Sequence, residues 1–133
     1  MILLDTHVLV WLTEGMPELG RWARRDADAA LVAGRLAVSA ITFWEVAMLS
    51  EKGRLRMRQP LRAWRSDLLE AGLVELPVTG QVGIEAADLD GLHQDPADRL
   101  IVATAALGRA ILLTADERLL GWNGPLRVQD ARR

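Results

Sequence analysis

Residues 2–6 read Ile-Leu-Leu-Asp-Thr, and residues 110–116 read Ala-Ile-Leu-Leu-Thr-Ala-Asp. In each stretch a short unbroken apolar run ends near a carboxylate and passes into helix-forming sequence. A run that does not alternate with polar residues fits a strand covered on both faces, the kind that builds parallel sheets. Strands are therefore expected over 2–4 and 110–113, with further short apolar runs at 36–38 (Leu-Ala-Val) and 73–76 (Leu-Val-Glu-Leu) and an edge strand over 126–128. Between them the periodicity predicts helices. One spans 18–33, with Leu19, Trp22, Ala23, Ala27, Ala30 and Leu31 at helical spacing. A second runs over 40–51, capped by Ser39 and closed by Gly53, and a third from Pro60 to Ala71, ended by Gly72. In the second half, 79–90 reads as a helix weakened by Gly83. Asp95-Pro96 opens an apolar helix to Leu107, and Asp116 starts a short helix to Gly121. Strands alternating with helices define an α/β class, doubly wound about a parallel sheet. The ligand crevice of such a sheet lies beyond the carboxyl ends of its strands, where Asp5 and Asp116 both fall.

The chain has 133 residues, half of them hydrophobic and 26% charged, which fits one domain over 1–133 with a packed core. No apolar run approaches the roughly 18 residues of a membrane span. The opening Met-Ile-Leu-Leu-Asp-Thr-His lacks the basic start of a secretory signal, so no membrane association and a cytoplasmic location are expected. There is no cysteine, which excludes a disulfide scaffold, thiolate zinc, an iron–sulfur cluster and a cysteine nucleophile. His7 and His93 are the only histidines, too few for a multi-histidine metal site. Carboxylates remain for chemistry.

Asp5 and Asp116 each also read as ordinary helix caps. Glu45 does not. It is the only charged residue between Ala40 and Leu49, with Ile41, Trp44, Val46, Met48 and Leu49 around it on the helix, and an ionised carboxylate among apolar side chains is costly unless it is paired or binds a metal. Asp95 and Asp98 precede a single apolar helix, one more acid than a cap requires. If these carboxylates converge, mutual repulsion of about 4 kcal/mol per close pair recruits either protons or a hard divalent cation. An all-oxygen set suits Mg²⁺ or Mn²⁺, and such ions support attack of activated water on a phosphodiester.

The net charge is −2, yet residues 52–66 hold Lys52, Arg54, Arg56, Arg58, Arg62 and Arg65 with no acid among them. This concentration fits a grip on a polyanion, or on a protein partner, and equally a solvated basic face. Trp64, inside the segment, is the tryptophan expected to stack on a base, whereas Trp11 and Trp44 sit at core spacing.

Four pieces of sequence, Leu-Leu-Asp-Thr-His-Val-Leu-Val-Trp at 3–11, Ser-Ala-Ile-Thr-Phe-Trp-Glu-Val-Ala-Met at 39–48, His-Gln-Asp-Pro-Ala-Asp-Arg-Leu-Ile-Val-Ala-Thr-Ala at 93–105 and Leu-Leu-Thr-Ala-Asp-Glu-Arg-Leu at 112–119, resemble in order the PIN-domain ribonucleases, and most closely VapC toxins of bacterial toxin–antitoxin pairs. The resemblance implies a three-layer α/β/α sandwich and an acidic site holding Mg²⁺ or Mn²⁺ that hydrolyses RNA. It assigns the acids to Asp5, Glu45, Asp98 and Asp116, with Asp95 as competitor for the third place. It also implies a VapB-type antitoxin and a homodimer, and leaves Arg54, Arg56, Arg58, Arg62 and Arg65 to contact RNA or antitoxin. Thr6 and Thr114 are read as strand-end hydroxyls bonded to backbone, or alternatively as holding waters or orienting the carboxylates, and His7 and His93 receive no catalytic role. The alternative is a catalytically silent PIN-like protein-binding module. A haloacid-dehalogenase-type phosphatase is disfavoured because Asp5-Thr6-His7 lacks a second aspartate, and no middle strand ends on an acid suited to a receiver-like pocket.

Overall fold

A computed structural model describes residues 1–133. Its five strands, β1 (Ile2–Leu4), β2 (Leu36–Ser39), β3 (Val74–Leu76), β4 (Ile111–Thr114) and β5 (Arg127–Asp130), form one sheet in the order β3-β2-β1-β4-β5. Every pairing is parallel. The registers Ile2↔Leu36 and Ile2↔Ile111 place β1 at the centre; the chain steps from β1 to β2 and β3 on one side, then crosses from β3 to β4 and β5 on the other. That reversal opens a crevice beyond the carboxyl ends of β1 and β4.

Seven helices cover the two faces: α1 (Thr6–Thr13), α2 (Arg21–Val32), α3 (Ile41–Glu51), α4 (Leu61–Glu70), α5 (Gly80–Ala87), α6 (Pro96–Leu107) and α7 (Glu117–Leu120). Successive strand residues point to opposite faces. Leu4 and Leu113 thus enter a core with Val8, Leu9, Val46 and Trp64, while Leu3 and Leu112 enter a second core with Ile101, Val102 and Leu119. All four of these strand leucines are at most 1% exposed, which explains their non-alternating sequence, and each such burial is worth about 1.5–3 kcal/mol. The α/β/α sandwich expected from the sequence is the observed architecture.

The edge strand expected over 126–128 runs instead over Arg127–Asp130, and three helix boundaries depart from expectation for local reasons. The helix expected over 18–33 begins only at Arg21, because Gly20 is extended and its N–H bonds Ala131 O at 2.8 Å. A Cβ at Gly20 would lie 2.0 Å from the carbonyl carbon of Arg133, so the chain end and this turn need glycine's bare backbone. The helix expected over 79–90 stops at Ala87, because the carbonyls of Ala86, Ala87 and Leu89 bond a buried arginine instead of continuing. Ser39 ends β2, and its hydroxyl accepts from Ile41 N at 3.3 Å while Ala40 takes the cap position.

Candidate active site

Asp5 leaves β1 directly into α1. Its Oδ1 accepts from Thr6 N at 2.9 Å, so it is a helix cap, and its Oδ2 accepts from the Thr114 hydroxyl at 2.6 Å. The Thr114 hydroxyl in turn accepts from Asp116 N at 3.0 Å. Thr6 Oγ1 donates to Glu45 Oε1 at 2.5 Å and lies 3.1 Å from Thr42 Oγ1. Since the Thr6 proton is committed to Glu45, Thr42 is the donor to Thr6. Thr6 and Thr114 therefore both orient carboxylates, one of the two roles expected of them, and Thr114 also bonds backbone, the other. The reason is register: at the ends of adjacent parallel strands both hydroxyls face the crevice that the acids face.

Asp95 and Asp98 separate cleanly. Asp95 Oδ1 accepts from Asp98 N at 3.0 Å with Pro96 at the first turn, so Asp95 is the cap of α6. Asp98 is thereby freed, and its Oδ2 lies 2.8 Å from His93 Nε2. Asp5, Glu45 and Asp98 line a cleft of about 200 Å³ whose other wall is apolar, built from Val10, Trp11, Met16, Leu49 and Leu55. Asp116 is not part of that lining and approaches the group through Asp98 and His93. Donor atoms of His93, Asp98 and Asp116 all lie within 4.8 Å of one another.

The apolar wall has an electrostatic consequence. Burial raises the Glu45 carboxyl to about 7, against the lowering effect of its Thr6 bond, and the nearby charges of Asp98, Asp5 and Asp95 push it further up. Asp98 is raised for the same reasons, burial first, opposed by its His93 bond. Asp116 is lowered, chiefly by the Arg118 guanidinium that hydrogen-bonds it.

Two arginines in this region carry roles that the sequence pattern did not single out. Arg99 is 9% exposed and donates to five carbonyls, those of Ala86, Ala87, Leu89, Leu92 and His93, at 2.8–3.2 Å. It clamps the α5–α6 loop and so fixes the segment that presents His93 to Asp98. Arg118 Nη2 lies 2.9 Å from Asp116 Oδ2 and 3.3 Å from Asp98 Oδ2. The Asp-Arg sequence at 98–99 was a visible signal, because an arginine inside an apolar helical run needs internal acceptors. Nothing in the sequence marked Arg118.

His7 Nε2 accepts from Ala115 N at 3.1 Å, which puts the proton of the neutral ring on Nδ1, 3.8 Å from Asp5 Oδ2. It ties α1 to the β4–α7 turn.

The basic segment is less uniform than its sequence. Arg58 is held by Glu14 and Thr13 O, and Arg65 makes a two-pronged bond to Glu75 at 2.7 and 2.9 Å. Arg54, Arg56 and Arg62 are exposed and form no ion pair. Trp64 is 3% exposed, lies edge-on to Phe43 and donates from Nε1 to Thr13 Oγ1 at 3.2 Å, so its expected base-stacking role is corrected to core packing. Trp44, expected in the core, is 52% exposed.

A family model described as PIN domain matches residues 2–121. Ribonuclease VapC22 of Mycobacterium tuberculosis is 35% identical over 128 residues, spanning 96% of this chain and 95% of the relative. The fold is shared with VapBC of Salmonella typhimurium, solved bound to DNA, at a TM-score of 0.69 and 18% identity over 97% of this chain and 96% of the other. It is shared likewise with VapBC2 of Rickettsia felis, solved with a DNA fragment from its promoter, at a TM-score of 0.67 and 18% identity over 98% of both chains.

Proposed function

The chain belongs to the PIN-domain family, and on that premise we propose that it is a divalent-metal-dependent endoribonuclease, the toxin of a VapBC-type pair, with Asp5, Glu45, Asp98 and Asp116 as its working acids. One observation carries the reading: Asp95 satisfies the cap of α6, which leaves Asp98 to face Asp5 and Glu45 across a half-buried cleft. Carboxylates crowded beside apolar side chains, two of them raised by burial and mutual repulsion, are what a hard cation relieves. The donor set, oxygens with one imidazole, fits Mg²⁺ or Mn²⁺. Such an ion, when bound, activates water and offsets charge on the phosphate undergoing in-line attack.

The chain's own residues supply the rest. Thr6 and Thr114 fix the carboxylates of Glu45 and Asp5. His93 holds Asp98, and Arg99 holds the loop bearing His93. The apolar wall limits water at the acids. Exposed Arg54, Arg56 and Arg62, with Arg58 and Arg65 behind them, attract the RNA backbone or the antitoxin. A VapB-type antitoxin and a second copy of the chain are the protein partners, for which exposed Trp22, Trp44 and Ile84 provide apolar surface. A catalytically silent scaffold would have no use for four acids held at this expense. Incubating purified protein with RNA in Mg²⁺, in Mn²⁺ and in EDTA tests the proposal. Cleavage that needs the ion is expected, and absence of cleavage in all three favours the silent module.

A further inference from the structure

We infer that Arg118 is the resident cation of the acidic site: its guanidinium sits between Asp98 and Asp116 until a divalent ion arrives, then turns outward to hold a phosphate of the RNA. The inference rests on the nuclease reading above. Three observations support it. First, the guanidinium contacts the same two carboxylates that, with His93, form the tight group of ligand-type atoms; Nη2 is 2.9 Å from Asp116 Oδ2 and 3.3 Å from Asp98 Oδ2, and Nε is 3.2 Å from Asp116 Oδ1. A divalent ion on those oxygens would repel a guanidinium lying against them. Second, the arginine side chain is 59% exposed while the two carboxylates are 13% and 17% exposed. Attraction to the acids, rather than packing, holds it in place, so it moves when that attraction is cancelled. Third, the α7 turn is held by its main chain as well as by the Asp116 carboxylate: Leu119 N and Leu120 N donate to Asp116 O at 3.0 and 2.9 Å, beside the bond from Arg118 N to Asp116 Oδ1. The stem can swing without unwinding α7, and a fork of N–H donors suits a phosphate as it suits a carboxylate.

An ordinary exposed ion pair would contribute little to anything. A resident cation instead gives two effects of opposite sign. Without RNA, Mn²⁺ titrated calorimetrically into Arg118→Gln should bind about fivefold more tightly than into wild type, because no internal cation has to be displaced. At saturating Mn²⁺ the same variant should show a KM for RNA raised about tenfold with kcat changed less, since glutamine cannot hold the phosphate as the guanidinium does. Arg118→Lys should fall between the two proteins on both measures. Melting supplies a check on folding: Arg118→Gln should melt below wild type in EDTA, where Asp98 and Asp116 repel, and level with it in Mn²⁺. Equal Mn²⁺ affinity in both proteins, or weakened binding of both ion and RNA, overturns the role of Arg118 alone. Failure of wild type to bind Mn²⁺ at all overturns the nuclease reading together with it.

Discussion

The acidic cleft and the basic segment 52–66 touch at Leu55, which lines the cleft, but they are assembled in opposite ways. The cleft gathers Asp5, Glu45 and Asp98 from the β1 end, α3 and α6, with Asp116 from the β4 end beside Asp98, places far apart in sequence. Hydroxyls, a cap and a histidine hold these like charges together against repulsion. In the basic segment the charges are neighbours in sequence, and the fold disperses them. Arg58 turns to Glu14 and Arg65 to Glu75, while Arg54, Arg56 and Arg62 stay in solvent. Charge density along a chain and charge density in space are different quantities. In this molecule the scattered acids, not the clustered arginines, are the charges that shift one another.

The largest expected effect tests the cleft. Asp98→Asn should reduce ion-dependent RNA cleavage about a hundredfold or more, with the metal-free melting temperature unchanged or higher because one repelling charge is gone. Mg²⁺ should raise the melting temperature of wild type through linkage and raise that of the variant much less. Asp95→Ala is the counterpart: it should keep most activity and lose about 1 kcal/mol of stability as an N-cap deletion. An active Asp98→Asn protein beside an inactive Asp95→Ala one would reverse the assignment.

Trp64→Ala comes next. It should cost about 3–5 kcal/mol in chemical denaturation, because the ring fills the core beneath the basic segment. Weakened RNA binding at full stability would instead restore the stacking role.

The third effect is a pH dependence. The folded-state pKa of Glu45 is raised from 4.5 to about 7, so between those values the folded protein holds more protons than the unfolded chain. Metal-free stability should therefore fall as pH rises from 4.5 through about 7, by on the order of 1–2 kcal/mol given partial solvent access, and Glu45→Gln should flatten that slope. Melting in EDTA across this range measures it.

The smallest effects lie in the basic segment. Replacing Arg54, Arg56 and Arg62 with Gln should reduce the salt slope of RNA binding by about one unit for each phosphate no longer neutralised. Arg65→Gln should appear instead as a small loss of thermal stability, through Glu75. Identical salt slopes in wild type and the triple variant would reduce the segment to a solvated face.

The sheet was legible in the sequence because both of its faces are covered, so the strands at 2–4, 36–39 and 111–114 carry unbroken apolar runs. The choice between Asp95 and Asp98 was narrowed by Pro96, whose fixed φ marks the first turn and makes Asp95 the cap. What stayed illegible depended on distant partners. Thr6 and Thr114 look like strand-end hydroxyls until β1 and β4 lie side by side. Trp64 looks like part of a basic surface until Thr13 and Phe43 are placed against it. Helix periodicity put Trp44 inward, but α3 is apolar nearly all round, so its pattern does not say which side faces water.

The pairing of β1 with β4 also sets a schedule. Asp5 N bonds Leu113 O, and the Asp5 carboxylate is fixed by Thr114, a residue 109 positions later in the chain. A nascent polypeptide that has reached Gly108 carries three of the four acids but not the strand that aligns the first of them, and long-range parallel pairing is slow to form. Assembly of the cleft is thereby deferred: until β4 has emerged and docked beside β1, the Asp5 carboxylate is a loose end, and the acidic site is among the last parts of the sheet to be wired.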